Sequence, residues 1–141
     1  MDEQWVGFHI ADEQYVHSTA EIREVIPYLK PSPVPGSQDF VTGILNVRGQ
    51  VVTVVSARGL LAQRDAGDCD DQKVLILELG EELVGVCVDS VGDIVSFESD
   101  QVQWSDTQSD SKIIRGTVQL GDILYIVTDF AEYCREISEK L

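Results

Sequence analysis

The chain has 141 residues, 43% of them hydrophobic, and a formal net charge of −15. This length is enough to bury the core of one compact domain. The charge excludes simple electrostatic capture of nucleic acid, which needs clustered lysine and arginine, and it disfavours acidic membranes. Because no apolar run approaches the ~20 residues of a membrane span and residues 1–4 do not resemble a signal peptide, we expect a soluble, cytoplasmic protein.

Acidic residues are unevenly distributed along the chain. Residues 65–110 contain 13 aspartates and glutamates but only one basic residue, Lys73. The resulting acidic surface has two interpretations: it keeps the protein soluble, or it steers a basic partner toward this half.

The three cysteines do not form a recognisable framework. Cys69, Cys87 and Cys134 are odd in number and far apart, without a Cys-x-x-Cys pair. This spacing argues against both a set of disulfides and a zinc site. We expect Cys87, which lies in an aliphatic run, to be a core residue.

The first 18 residues predict a β-hairpin. Val6, Phe8 and Ile10 alternate with their neighbours, which is the periodicity of a strand with one strongly apolar face. Polar residues 12–14 then turn the chain into a second strand at 15–17.

A short helix is predicted directly after this hairpin. Ser18 and Glu21 have the spacing of a capping box, and Ile22, Val25 and Ile26 follow at helical spacing. We place the helix over residues 19–23. Four prolines between residues 27 and 35 then form a stiff loop.

The next apolar stretch predicts a central hairpin. Residues 41–47 and 51–55 are rich in β-branched side chains and flank Arg48-Gly49-Gln50, where glycine allows the positive φ of a tight turn. Because both runs are nearly all apolar, we expect both faces of the strands to be covered, as in a barrel packed on another body. Arg48 is then either a solvated turn residue or a contact presented to a partner.

The second half predicts further strands, two surface connections and a C-terminal helix. Asp129 has the position of a helix cap, and Phe130 and Tyr133 lie along one side of the helix that would follow. The predicted strands are 74–79, 83–88, 89–97, 113–120 and 123–127, and the predicted connections are 62–71 and 105–111.

The two halves of the chain resemble each other weakly. The strand, acidic turn and strand at residues 8–16 are echoed at 77–84, and the hairpin that begins at Gly43 is echoed by one that begins at Gly116. Either any two hairpins share such turn chemistry, or each half forms one small barrel. We divide the single domain into approximate halves, 1–68 and 69–141.

The sequence lacks the common catalytic motifs. It has no Gly-x-x-x-x-Gly-Lys loop, no nucleophile elbow and no His-Glu-x-x-His. The two histidines, His9 and His17, lie on strand-like segments, where an ordinary surface or half-buried role is far commoner than metal binding or base catalysis. We therefore expect that the protein is not an enzyme and has no catalytic residue, cofactor or metal. We expect a binding module instead.

The order of motifs resembles the family of CheW-type chemotaxis coupling proteins. The central signature is Gly43, then Asn46-Val47-Arg48-Gly49, an aliphatic strand, and Arg58 followed by leucines. The chain departs from the family pattern at Thr19, Thr53 and Ser56. These departures bear on which partners the protein binds more than on its fold. Matching segments at 8–15, 22–25, 83–94 and 114–124 extend the resemblance over essentially the whole chain.

The resemblance implies a mainly β fold, with two small five-stranded β-barrel subdomains packed together, a short helix after the first hairpin and a C-terminal helix. It implies that a groove between the barrels receives the cytoplasmic tip of a chemoreceptor, and that a second surface binds the regulatory domain of the histidine kinase CheA. An apolar patch beside one acid and one cation suits the first task, although Ile22 and Val25 could equally be ordinary core residues. The implied receptor-binding residues are Ile22, Glu24, Val25, Gly43, Asn46, Arg48 and Gly49, and the implied kinase-binding residues are Leu75, Leu83, Gly85 and Val102.

We therefore expect a non-catalytic adaptor in bacterial chemotaxis signal transduction that couples chemoreceptors to CheA. It would act in the cytoplasm at membrane-associated receptor arrays, without binding nucleic acid or inserting into the membrane. Weak ring-forming self-association stays open. The alternatives are a small-barrel ligand-binding protein and a coupling protein of another chemosensory pathway, such as surface motility.

Overall fold

The computed structural model describes residues 3–36, 41–62, 72–105, 113–131 and 133–135. These residues form mainly strands, together with the α-helix α1 (Ala57–Ala62), helical residues at 131 and 133–135, and two 3-10 helices, Thr19–Glu21 and Ser99–Gln101. No helix among them has the length and apolar character needed to span a lipid bilayer. The strands are β1 (Glu3–Ile10), β2 (Glu13–Ser18), β3 (Ile22–Pro27), β4 (Val41–Val47), β5 (Gln50–Ser56), β6 (Lys73–Leu79), β7 (Glu82–Val88), β8 (Ser90–Phe97), β9 (Gln103–Trp104), β10 (Ile114–Leu120) and β11 (Ile123–Thr128).

The strands form two sheets, which confirms the prediction of a mainly β protein. Sheet A has six strands in the order β8-β1-β2-β11-β10-β9, and sheet B has five in the order β3-β6-β7-β5-β4. Each sheet contains strands from both halves of the chain, because the hairpin β1–β2 lies in sheet A beside β8 and β11, while β6–β7 lies in sheet B between β3 and β5. The prediction that each half forms its own barrel is therefore wrong.

The pairing registers reveal the internal repeat in detail. Ile10 pairs with Glu13 at the end of β1–β2, and Leu79 pairs with Glu82 at the same place in β6–β7. The hairpins β4–β5 and β10–β11 both have a register shift just before a glycine, Gly43 or Gly116. The two parallel contacts, β5 with β7 and β11 with β2, also correspond. Strands β1, β2, β3, β4 and β5 are thus equivalent to β6, β7, β8, β10 and β11.

The largest hydrophobic cluster draws its side chains from both sheets, and so holds them together. Phe8 and Tyr15 of sheet A stack with their rings 5.4 Å apart, and Leu75 and Val86 of sheet B belong to the same cluster. Burying each such side chain contributes ~1.5–3 kcal/mol. Smaller clusters fill each sheet separately: Trp5, Val16, Phe97, Val102, Val118 and Val127 in sheet A, and Leu45, Val54 and Cys87, with Ile26 and Val47 against them, in sheet B.

The short helix predicted over residues 19–23 is confirmed only in its first three residues, and from Ile22 the chain is a strand. Only Thr19–Glu21 is helical, as a single 3-10 turn on which the Ser18 hydroxyl accepts a hydrogen bond from the Ala20 amide at 3.2 Å. From Ile22 the chain pairs with β6, where its alternating half-buried and exposed residues suit a strand. A segment this short cannot hold a helix without tertiary contacts, and the neighbouring strand supplies hydrogen bonds to its backbone.

The central hairpin is confirmed, but the coverage of both its faces is not. Along β4 the residues alternate between buried and half-buried, and Val51 on β5 is 63% exposed. Val52, Val54 and Val55 on β5 are fully buried. Only the half of β5 farther from the turn is therefore covered on both faces.

The predicted cap at Asp129 is confirmed. Its Oδ1 accepts a hydrogen bond of 2.9 Å from the amide of Ala131, the first helical residue of the C-terminal segment. Phe130 and Cys134 are fully buried. The burial predicted for Cys87 is also confirmed, whereas Cys69 and most of the connections predicted at 62–71 and 105–111 lie outside the described residues.

We expect the protein to lose stability as the pH rises above about 9. Burial raises the pKa of the Cys87 and Cys134 thiols to about 12, and burial with the nearby Glu13 carboxylate raises that of Tyr15 to about 12. The unfolded chain releases these protons nearer their ordinary pKa values, so above pH 9 the native state binds more protons and the free energy of unfolding falls with rising pH.

Each thiol contributes up to ~1.4 kcal/mol per pH unit in this window. Urea midpoints between about pH 8 and pH 10 measure the decline. The Cys134→Ala variant should decline less steeply than the wild type. A wild-type midpoint that stays level across this window would contradict the prediction.

Candidate functional site

The turn between β4 and β5 presents Arg48 in an unusual backbone conformation. Arg48 has φ of 49° and Gly49 has φ of 84°, so both turn residues are left-handed, as in a type I′ hairpin turn. The Asn46 carboxamide oxygen accepts a hydrogen bond from the Gly49 amide at 2.9 Å and holds the turn. Glycine tolerates this conformation freely, but arginine does so at a cost of about 1–2 kcal/mol.

Strand β3 divides its candidate residues between two faces. Glu24 and Ile26 are half-buried on one face, whereas a register shift between Ile22 and Glu24 places Ile22 on the opposite face together with Val25, which is 40% exposed. Ile22 packs against the large cluster between the sheets. The structure therefore supports a core role for Ile22 and an exposed position for Val25.

An ion pair brings the two predicted segments together. The Arg48 guanidinium donates a hydrogen bond to the Glu24 carboxylate, joining the β4–β5 turn to β3, although these elements stand at opposite ends of the strand order of sheet B. The side chain of Arg48 is 68% exposed and that of Glu24 is 24% exposed. The hydrogen bond to Glu24 raises the pKa of Arg48 above its already high ordinary value, so Arg48 stays charged at physiological pH.

The ion pair occurs in only one copy of the repeat. By the strand registers, Asp93 and Gly121 stand where Glu24 and Arg48 stand in the first copy. Gly121 has no side chain to pair with Asp93. The fold therefore does not require a charged pair at this place.

Gly43 has a structural role in this part of the molecule. It is buried with φ of 147°, and a Cβ there would overlap the backbone carbonyl oxygen of Ser32. Ser32 and the adjacent Ile44 exchange two backbone hydrogen bonds of 2.9 Å. Gly43 therefore lets the proline-rich loop approach β4. Because this loop covers Gly43, a partner cannot contact it directly.

Most residues of the predicted kinase surface are inaccessible. Leu75 is fully buried between the sheets, Val102 is 7% exposed, and Gly85 lies buried on β7, where a Cβ would come within 2.7 Å of the Val74 side chain. Leu83 is half-buried. Of the four residues, only Leu83 can touch a partner in this conformation, and its contact with the kinase stays a prediction.

A polar junction between the sheets is not evident from the sequence. The Asp89 carboxylate, between β7 and β8, accepts hydrogen bonds from the Arg58 guanidinium at 3.1 Å and from the Ala11 amide at 2.7 Å. Ala11 has φ of 55° in the β1–β2 turn. Arg58 and Asp89 looked like isolated charges in the sequence, since 31 residues separate them.

One cluster of described residues has the spacing of a metal site. The candidate ligand atoms of His17, Glu21 and Asp129 lie within 4.8 Å of one another. His17 is 1% exposed, its Nδ1 lies 2.9 Å from the Ser18 carbonyl oxygen, and its Nε2 accepts a hydrogen bond from the Phe130 amide at 3.1 Å. Both imidazole nitrogens are thus engaged in hydrogen bonds, so His17 offers no lone pair to a metal.

The described residues form two β-sheets built from an internal repeat, with an exposed ion pair on one copy. The profile of the CheW-like domain family matches residues 4–137, and the chain belongs to this family. It is 26% identical over 101 residues to the chemotaxis protein CheW of Klebsiella aerogenes (72% of this chain) and 26% identical over 139 residues to that of Thermotoga maritima (96% of this chain, 89% of the relative). The crystal structure of the scaffolding protein TtCheW from Thermoanaerobacter tengcongensis matches with a TM-score of 0.81 at 21% identity, covering 92% of this chain and 85% of that one.

The alignments cover different shares of these relatives. The chain spans 61% of the Klebsiella relative and 65% of the Bacillus subtilis chemotaxis protein CheW in the aligned region. The family resemblance inferred from the sequence is thus confirmed, and the fold agrees with a solved member.

Proposed function

We propose that this protein is a non-catalytic adaptor of bacterial chemotaxis that couples the cytoplasmic tips of chemoreceptors to the histidine kinase CheA. Membership of the CheW-like family supports this function, as does the name of the scaffolding protein that shares its fold. In this proposal the protein acts in the cytoplasm at membrane-associated receptor arrays. Weak self-association in rings is compatible with the same role.

The ion pair of Arg48 with Glu24 is the main observation that supports the proposed receptor-binding site. A tight turn would be more stable with glycine or asparagine at the first position, yet arginine occupies it and is 68% exposed. A residue kept in an unfavourable conformation points to a role for its side chain. We assign Arg48 to contact with the receptor tip, positioned by Glu24.

The strands that carry this pair also have exposed apolar side chains that we assign to contact with the receptor. Val25, next to Glu24 in β3, is 40% exposed, and Val51, three residues after Arg48, is 63% exposed. Exposed apolar side chains on the same strands as a charged pair add affinity and register for a helical partner. Val25 rather than Ile22 is therefore the apolar contact that we propose.

We further propose that each sheet curls into one small barrel. In sheet B, Ile26 of β3 and Val47 of β4 pack against the same small cluster although these strands are the two edges of the sheet. The ion pair joins the same two edges. The equivalent small cluster of sheet A likewise contains Val95 of β8 and Leu120 of β10.

Titration of the protein with two purified partners tests the adaptor function. The partners are the regulatory domain of CheA and a soluble fragment of a chemoreceptor tip. Saturable binding of both, with a ternary complex in size-exclusion chromatography, is the expected result. Binding of neither partner would reject the proposal and favour a small-barrel ligand-binding protein, whereas binding only to components of another chemosensory pathway would favour that pathway.

We expect the Arg48→Gly variant to lose receptor affinity about tenfold to a hundredfold. Loss of a hydrogen bond to a charged group at a partly desolvated contact costs ~1.5–3 kcal/mol. Glycine suits φ of 49°, so the variant should melt no lower than the wild type. Receptor pull-down and kinase titration are the measurements, and kinase binding should be unchanged.

Arg23→Ala is the matched control, because Arg23 is an exposed cation on β3 next to Glu24 in sequence. It removes the same charge from the same region. Equal receptor binding by wild type and Arg48→Gly would refute the assigned contact. An equal loss in both variants would indicate nonspecific attraction by positive charge.

A further inference from the structure

The corresponding hairpins β4–β5 and β10–β11 have turns of different conformation. In the β4–β5 turn both residues have a positive φ, 49° for Arg48 and 84° for Gly49. In the β10–β11 turn only the first residue does, because Gly121 has φ of 62° while the φ of Asp122 is not positive. The first pattern is that of a type I′ turn and the second that of a type II′ turn. The two types differ in the orientation of the peptide unit that joins the two turn residues.

Side chains at corresponding positions contact opposite ends of this peptide unit. By the strand registers, Gln119 stands where Asn46 stands. The Asn46 carboxamide oxygen accepts a hydrogen bond from the Gly49 amide at 2.9 Å, whereas the Gln119 carboxamide nitrogen donates one to the Gly121 carbonyl oxygen at 2.9 Å. The N–H of the unit therefore faces the strand side chain in β4–β5, and its C=O does so in β10–β11. This opposite orientation agrees with the two turn types.

The orientation of the peptide unit decides which residues fit the first turn position. A type II′ turn takes glycine there, and Gly121 meets this requirement. A type I′ turn places the first residue in the left-handed region, which arginine enters at a modest cost. Arg48 therefore fits the turn only while the peptide unit that joins it to Gly49 keeps the orientation that Asn46 holds.

We propose that Asn46 is a positioning residue for the receptor contact, an inference that rests on the function proposed for Arg48. By accepting the Gly49 N–H, Asn46 holds the backbone of the turn in the type I′ form, while Glu24 holds the guanidinium from β3. The exposed side chain of Arg48 is thus fixed at both ends before a receptor arrives. Such preorganisation raises affinity because less conformational freedom is lost on binding. Asn46 itself makes no contact with the receptor.

Titration with a soluble fragment of a chemoreceptor tip tests this role of Asn46. We expect Asn46→Ala to bind the fragment about threefold to tenfold more weakly than the wild type, which is the range for the loss of one hydrogen bond. Asn46→Asp keeps an acceptor oxygen in the same place and should recover the wild-type affinity. Binding by Asn46→Asp as weak as that by Asn46→Ala would overturn the proposal.

Gln119→Ala is the matched control. Gln119 is also exposed, and its replacement also removes one side-chain hydrogen bond from a turn. Both alanine variants should melt a few degrees below the wild type by similar amounts, but only Asn46→Ala should lose receptor affinity. Equal losses of affinity in the two variants would show an effect of stability alone and would overturn the proposal.

A double-mutant cycle with Arg48→Gly separates positioning from direct contact. Glycine at position 48 adopts either turn type, so Asn46→Ala should cause no further loss of receptor affinity in the Arg48→Gly background. Losses that multiply in the double variant would show that Asn46 touches the receptor itself, contrary to the proposal.

The ion pair is measured without a receptor by NMR of the Arg48 guanidinium Nε–H group. In Asn46→Ala this signal should move toward its position in Glu24→Gln, which lacks the charged partner, and in Asn46→Asp it should stay at the wild-type position. An unchanged signal in Asn46→Ala would overturn the proposal. If the wild type fails to bind the receptor fragment, the receptor contact of Arg48 is rejected, while this signal still decides whether Asn46 positions Arg48.

Discussion

The Gly43→Ala variant should be among the least stable single variants of this protein, with about 2–5 kcal/mol lost from the free energy of unfolding. Its φ of 147° is unfavourable for alanine, and the new Cβ would overlap the Ser32 carbonyl oxygen and lie 2.9 Å from the Pro31 side chain. Backbone strain and overpacking each cost ~1–3 kcal/mol. The carbonyl cannot move away without breaking the hydrogen bond that it accepts from the Ile44 amide.

Thermal melting of Gly43→Ala beside Gly80→Ala measures this effect. Gly80 also has a positive φ, 66°, but a Cβ there would meet nothing within 4 Å. Gly80→Ala should therefore cost only the conformational part, ~1–2 kcal/mol, while Gly43→Ala should melt on the order of 10 °C below the wild type. Equal melting temperatures for the two variants would contradict the prediction, because they would show that the loop at Ser32 moves away from the new Cβ at little cost.

The His17→Leu variant should lose about 2–4 kcal/mol of stability. His17 is fully buried, accepts a hydrogen bond from the Phe130 amide and stacks on the Phe130 ring with centroids 5.7 Å apart. Leucine fills much of the space but leaves the buried amide of Phe130 without an acceptor, which costs ~1–3 kcal/mol, and it removes the stacking. Phe130 begins the C-terminal segment, so the loss should first loosen that segment.

The His17→Gln variant separates the hydrogen bond from the packing. Glutamine keeps an acceptor oxygen near the same amide and should recover part of the stability lost by leucine. Hydrogen exchange at Phe130 and Cys134 is the local measurement, because the Cys134 amide donates to the Phe130 carbonyl oxygen at 2.9 Å. Exchange in His17→Leu as slow as in wild type would contradict the proposed role of His17.

Local patterns predicted the hairpins well because their signals lie within a few residues. Runs of β-branched residues on either side of Arg48-Gly49 and Gly121-Asp122 identified β4–β5 and β10–β11. The same local reasoning extended the short helix too far, over residues 22 and 23, since spacing compatible with a helix also fits a strand in a short segment, and pairing with β6 decided the outcome. Long-range partners are not visible in a single sequence.

The candidate site shows the same limit. Arg48 could be singled out because a cation on a tight turn is a local feature, and its resemblance to a family motif added Glu24. Whether a residue is exposed depends on which strands surround it. Leu75 and Gly85 were proposed as surface contacts but lie on the inner strands of sheet B, covered by neighbours from the other half of the chain.

The exchange of hairpins between the halves has a consequence for biosynthesis. When the ribosome has released the chain only as far as Ala62, β3 and the pair β4–β5 still lack β6 and β7, which separate them in sheet B, and the hairpin β1–β2 lacks both its neighbours, β8 and β11. Two strands or a lone hairpin are marginal in water. The strands β3, β4 and β5 must therefore wait, exposed to chaperones and proteases, until β6 and β7 emerge and complete sheet B, and the hairpin β1–β2 must wait longer, until β11 completes its side of sheet A.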